Sequence, residues 1–235
     1  MKNEIKLPAS FLFEGQLQHI LLLAGLFPGA LYLALPALDG TSWLGIPDIN
    51  WFYALIALAI IHQFVGWFVF RTQLLFSLFS RLFGEYDLTV WGFIFFPFLL
   101  LRPLLTLALG IADSGSLEQL RGLQIALGVL LLIPAIYTGW SVERYFGILR
   151  ALGGDHFRQR YRAMPLVKEG AFKYSSNAMY AFAFLLFWAI ALLTGSRAAL
   201  AAALFQHAYI WVHMYCTEGP DMRVIYGRSD QPTTS

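Results

Sequence analysis

Charge is scarce in this chain. Of its 235 residues only 13% are Asp, Glu, Lys or Arg, while 58% are apolar and 17% aromatic; a soluble domain carries about a quarter charged residues. The shortage excludes a water-soluble globule and points to a multi-spanning membrane protein. Cysteine is nearly absent too. Cys216 stands alone, which excludes an intramolecular disulfide and a thiolate metal cluster, and it reads as a small residue packed at a helix end. Strands that alternate polar and apolar residues are missing, so an outer-membrane barrel is excluded. His19, His62, His207 and His213 lie in or near apolar stretches, but His207 and His213 are six apart and no HExxH run exists. That spacing does not put two ligands on one helix face, so neither metal nor haem is expected. The opening MKNEIKLPASFLFEGQ carries Glu4 and Glu14 and lacks a small-residue cleavage pattern, so no cleavable leader is evident and the first span is expected to be retained.

What the chain has in abundance is long apolar sequence. Stretches near 17–38, 51–70, 88–110, 120–141, 178–194 and 197–216 each approach the roughly 20 residues that cross the hydrocarbon as helix. The expected fold is all-α, a polytopic membrane protein with about six transmembrane helices. Gly195 and Ser196 alone link the last two spans, which predicts a tight C-terminal helical hairpin whose far ends, at Asn177 and Glu218, return to one side. The run Ala198, Ala199, Ala201, Ala202 and Ala203 permits close helix approach there. Residues 1–115 read as an N-terminal transmembrane scaffold and 116–235 as the chemically loaded part. Within the scaffold, Arg102 stands out beside Pro103 inside the third span, since an intramembrane cation is expensive unless paired or hydrated.

With the N-terminus inside, basic residues fall in the inner segments: Lys2 and Lys6, Arg71 and Arg81, the stretch from Arg144 to Lys173, then Arg223 and Arg228. The outer loops hold only Arg121 and Arg197. By the positive-inside rule both termini and the loop 142–177 are expected in the cytoplasm. The basic, aromatic-rich HFRQRYRAM fits a segment lying on anionic headgroups. Lipid phosphate and topology account for these cations, so nucleic acid is not an expected partner.

Polar motifs gather at the ends of the later spans. The fourth span is expected to continue as helix to Leu152, stopped by Gly153 or Gly154. Asn177 opens the fifth span as a side-chain N-cap. After Glu218, Pro220 suits the first turn of a new short helix running to Tyr226, with Gly227 as its stop and Asp221 favoured by the helix dipole.

The sequences YFGILRALGGDHF, EGAFKYSSNAMY and YCTEGPDMRVIYG together resemble the integral-membrane methyltransferases acting on phosphatidylethanolamine, and more distantly those acting on isoprenylcysteine, over about residues 140–228. The resemblance implies S-adenosylmethionine as cofactor, held at the cytoplasmic end of the last helices, and a membrane lipid as substrate. Gly147 and Gly154-Asp155-His156-Phe157 are similar to the first family motif, Asn177-Ala178-Met179-Tyr180 to an Asn-Pro-Met-Tyr motif, and Glu218-Gly219-Pro220 to a Glu-Glu-Pro motif. Gly147, Gly154, Asp155, Asn177 and Glu218 are thereby implied as cofactor-binding, and Glu218, Asp221 and Tyr180 as catalytic. Ala178 stands in place of the motif proline and Gly219 in place of its second glutamate. Chemically, glycines allow close backbone approach, Asn177 can donate to a carboxylate and Glu218 can accept from an ammonium. An amine acceptor must lose a proton, for which Glu218, Asp221 and His213 are candidates. The isoprenylcysteine branch carries Arg-His-Pro where this chain has Ser176-Asn177-Ala178. A carboxyl methyltransferase of that type, an NADPH-dependent membrane reductase and a non-catalytic lipid-binding subunit are the rival expectations.

Overall fold

A computed structural model describes residues 7–117 and 119–227; Lys2, Lys6 and Arg228, counted above among the inner charges, lie outside the described residues. Its helices are α1 (Gln16–Ala34), α2 (Asp48–Phe76), α3 (Leu78–Phe83), α4 (Asp87–Ala112), α5 (Arg121–Ser141), α6 (Ile148–Ala151), α7 (Gly154–Phe157), α8 (Gln159–Arg162), α9 (Leu185–Thr194), α10 (Arg197–His213) and α11 (Gly219–Tyr226). A two-stranded turn, Ser42–Trp43 against Ile46–Pro47, joins α1 to α2. All six expected spans are helical. Among the described residues four stretches are by themselves long and apolar enough to cross a membrane: Ala9–Ala37, Asp48–Phe76, Leu78–Ala112 and Arg121–Phe146. The fifth, Met179–Thr194, is a shorter apolar helix.

The sixth, α10, is less apolar because it is shielded from lipid. It packs against α1, α2, α4 and α9, and its alanine run is buried. Small side chains let four neighbours approach one helix, where van der Waals contact substitutes for the weak hydrophobic drive within lipid. Side chains pointing away from this core, such as Leu17, Leu21, Leu100, Leu104, Leu130 and Ile133, are exposed and apolar, as a lipid-facing surface requires. The main core cluster draws on α1, α2, α4, α9 and α10 together, so the first and last parts of the chain share one interior.

The terminal hairpin forms as expected. Gly195 ends α9 at φ +67, and Ser196 caps α10 by accepting from the Ala199 amide, so two residues reverse the chain. The α9–α10 turn is joined there by the end of α4 and the loop after it: the Leu117 amide donates to the Gly195 carbonyl at 2.9 Å, and the Asp113 carboxylate accepts from the Ala198 amide at 2.8 Å. At the opposite end, the segment before α1, the end of α2, the start of α4, residues 142–178 and α11 come together.

One expected element is different. The fourth span does not run on to Leu152. α5 ends at Ser141, a π-helical turn covers Val142–Phe146, and Gly147 at φ +88, ψ 130 breaks the helix before α6. Glycine alone adopts that backbone freely. The expected stop survives further on, where Gly153 at φ +78 separates α6 from α7. The predicted helix after Glu218 is present as α11, with Pro220 in its first turn, Asp221 as its first-turn acid and Gly227 at its end.

Candidate functional site

The three motifs converge on the segment from Glu218 to Tyr226. His156, in α7, is clamped by two carboxylates: its Nδ1 is 3.0 Å from Asp155 Oδ1 and its Nε2 is 3.3 Å from Asp221 Oδ2. Asp155 also accepts from the Tyr226 hydroxyl at 3.0 Å. The first motif is therefore tied to α11 through two separate contacts. The second motif is tied by Tyr180, whose hydroxyl donates to Glu218 Oε1. Residues separated by 38 positions in one pair and 65 in the other become neighbours.

A fourth element enters that the sequence reading treated only as an orientation signal. Arg71, fully buried near the end of α2, forms an ion pair with Asp221. Its other donors reach main-chain carbonyls of Phe11, Glu14 and Thr217. The neighbouring Phe70 stacks on the His156 ring with centroids 4.2 Å apart. On the far side of the network, Arg162 donates to the Asp155 carbonyl at 2.6 Å and the His156 carbonyl at 3.1 Å. Burial opposes charge on His156, but its hydrogen bonds to Asp155 and Asp221 outweigh that cost and push its pKa up to about 9. Burial likewise works to raise the Asp155 pKa, yet the contact with His156 leaves it below the usual carboxylate range. The unit is a buried imidazolium between two carboxylates, one of which also faces a guanidinium. Such a network holds elements together. Asp221 meets a different partner with each oxygen, Arg71 at Oδ1 and His156 at Oδ2.

Glu218 has a different environment. It is half-buried at the end of the π-helical turn Met214–Glu218. Burial raises its pKa, and the hydrogen bond from Tyr180 offsets part of the rise. Among the described residues, Oε2 of Glu218 receives no protein hydrogen bond. Asn177 is half-buried too, and its expected side-chain cap is not formed: the cap position of the turn Met179–Ala183 falls on Ala178, and it is the Asn177 carbonyl that accepts from the Tyr180 and Ala181 amides, each at 3.0 Å. Its amide side chain has no protein partner among the described residues. Two polar groups at the motif junction are thus available to a ligand. Ala178, in the position of the family's proline, is fully buried against the cluster of Ala171 and Phe172.

The two candidate glycines differ. A Cβ at Gly154 would lie 2.6 Å from the Leu149 carbonyl and 2.8 Å from the Tyr161 ring, so internal packing alone demands glycine there. At Gly147 the Cβ position faces open space, and the residue's visible work is the backbone break. His213 lies in α10 with its ring 3.8 Å from the Cβ position of Gly66 on α2, facing the helix core and not the Tyr180–Glu218 pair.

Residues 123–229 match the family described as phospholipid methyltransferase. The chain is also 32% identical over 110 residues to a phosphatidylethanolamine N-methyltransferase of Malassezia globosa, a match covering 47% of this chain. The aligned part amounts to 11% of that relative's length. No solved structure matches. The matched stretch begins within α5 and contains every motif residue that meets at Glu218.

Proposed function

We propose that this chain, whose residues 123–229 carry the phospholipid methyltransferase match, transfers a methyl group from S-adenosylmethionine to the amine headgroup of a membrane phospholipid. The observation that carries the reading is the convergence of all three matched motifs on Glu218–Tyr226, at the mouth of a membrane-embedded bundle. The available groups suit the cofactor: Asn177 offers a donor for its carboxylate, and Glu218 an acceptor for its ammonium or for the acceptor amine. When bound, S-adenosylmethionine supplies an activated methyl on a sulfonium, which needs no acid to release its leaving group.

The protein's own work is then to orient and to take a proton. A primary or secondary amine is protonated near neutrality and must shed one proton before its nitrogen can attack. Glu218 is the base in this reading, its proton affinity raised by burial and its carboxylate oriented by Tyr180. Asp221, held by Arg71 and His156, positions α11 and Glu218 with it. Gly147, by breaking the chain before α6, lets α7 turn back beneath α11. Alignment of this kind contributes on the order of 7–11 kcal/mol in favourable cases. The site faces the cytoplasm in this reading, because Arg121 and Arg197 mark the opposite end while the motif end carries the basic stretch 144–173.

The test is direct. Purified protein in nanodiscs, given labelled S-adenosylmethionine and phosphatidylethanolamine, should yield labelled mono- to trimethylated lipid, with the rate rising with pH as the acceptor amine deprotonates. A farnesylated cysteine analogue serves as the competing acceptor, and methylation of that compound alone would overturn the assignment.

A further inference from the structure

Buried Arg150 donates to the Pro165 carbonyl at 2.9 Å, and buried Arg71 has a carboxylate partner in Asp221. Arg102 does not. It sits deep in α4, 3% exposed, and among the described residues no carboxylate lies within ion-pair distance of it. Its Nε donates to Gln206 Oε1 at 2.9 Å. The Gln206 amide is turned to Thr106 at 3.2 Å, and the Thr106 hydroxyl to the Arg102 carbonyl at 2.8 Å. That loop fixes the side chain without neutralising it. Nη2 is buried and has no acceptor. The guanidinium carbon lies 5.1 and 5.3 Å from the ring centroids of Phe184 and Phe187, and ring faces attract a cation but offer no lone pair to a specific N–H. A guanidinium does not deprotonate in proteins, so an intramembrane position like this calls for an anionic or strongly accepting oxygen.

The surroundings indicate where that oxygen comes from. Phe184 follows Tyr180 by one turn, roughly 6 Å along the helix, and Tyr180 packs on Trp211, with ring centroids 6.1 Å apart. Arg102 therefore lies on the hydrocarbon side of the Tyr180–Glu218 pair along the same α9–α10 seam. Phe184, the ring over the guanidinium, is half-buried and directly follows the π-helical turn Met179–Ala183. We propose that Arg102 binds the phosphate of the acceptor phospholipid while the amine lies at Glu218. Guanidinium geometry matches phosphate oxygens. This rests on the methyltransferase reading and adds to it a phosphate-recognition site.

The experiment compares wild type, Arg102→Gln and Arg102→Lys in nanodiscs with two acceptors, phosphatidylethanolamine and a long-chain aminolipid that lacks phosphate. Arg102→Gln should raise KM for phosphatidylethanolamine about ten-fold or more, the loss of one charge-assisted hydrogen bond. It should leave KM for the phosphate-free acceptor and the affinity for S-adenosylmethionine unchanged. Arg102→Lys, which keeps a cation, should recover part of the loss, and it replaces the Gln variant in the comparison if that protein does not fold. Equal KM changes on both acceptors, or none on either, would overturn the proposal. Native mass spectrometry separates it from the reading beneath it. Phospholipid retained by wild type and lost in Arg102→Gln supports the site even if no lipid is methylated, whereas Arg102-dependent retention of a fatty acid in place of phospholipid would refute it.

Discussion

At the end of the bundle that holds Gly195, helices stop cleanly; at the other end they stop raggedly. Gly195 and Ser196 close α9 and open α10 in two residues, Asp113 takes the Ala198 amide and the Ser116 hydroxyl, and Arg121 covers the Leu192 carbonyl at 2.8 Å. The Ala198 and Leu192 contacts complete the start of α10 and the end of α9. At the motif end three π-helical turns, Val142–Phe146, Met179–Ala183 and Met214–Glu218, interrupt the ladders just where the motifs begin. Ion pairs there join chain positions as distant as 14 and 223. Local closure satisfies the backbone at the helix ends. Irregular closure leaves Asn177 and Glu218 with capacity for a ligand, in keeping with the frequency of π-turns at functional sites.

Substitutions at the two ends should therefore fail differently. The largest effect is expected for Glu218→Gln, which removes the proposed base and a proposed cofactor contact. Methyl transfer should fall by about 10²–10⁴-fold and affinity for S-adenosylmethionine by about ten-fold or more, with the thermal transition kept. Rate assays and calorimetry on one preparation check both. Next comes Arg71→Met. It removes one partner of a buried ion pair and leaves Asp221 facing His156 alone, a change that costs roughly 3–5 kcal/mol, read as a large drop in Tm, while Arg71→Met with Asp221→Leu should regain much of that stability without regaining activity. At the opposite end, Asp113→Ala should lower stability by about 1–2 kcal/mol and leave cofactor affinity untouched. Altered affinity in that variant would show that the ends are coupled.

A gentler probe is pH. His156 has its pKa raised from 6.5 to about 9, so the stability it contributes is fully present below the unfolded value and fades as pH rises through about 9. Melting curves across that window should show a decline that His156→Gln flattens. The smallest effect belongs to the exposed Arg223–Glu14 pair at 2.9 Å. Its removal should cost under about 1 kcal/mol and vanish in high salt.

The sequence made the helical segments and the hairpin legible because apolar length and a two-residue link are local properties. Resemblance supplied the three motifs. What stayed hidden was pairing across the chain. Arg71 looked like a charge marking the end of a span, and His156 passed as one letter of a motif, because no spacing rule connects either to Asp221. Asp221 itself read as a helix-dipole residue and a candidate catalytic group; the first is true of its place in α11, and both omit Arg71 and His156 facing it. The expected continuation of α5 to Leu152 failed at Gly147, where one backbone conformation outweighed a run of helix-compatible residues.

The grip of Arg71 on Phe11, Glu14 and Thr217 has a consequence for synthesis. The segment before α1 leaves the ribosome long before Thr217, yet one guanidinium holds both, and Gln16 waits for Thr217 at 3.2 Å. Until α10 arrives, α1 exposes Gln16 and His19 to lipid or to whatever escorts nascent helices. A chain truncated before α10 should accordingly be recognised as unfinished and degraded, with α1 the part that gives it away, and a pulse-chase comparison of full-length and truncated chains would time that surveillance.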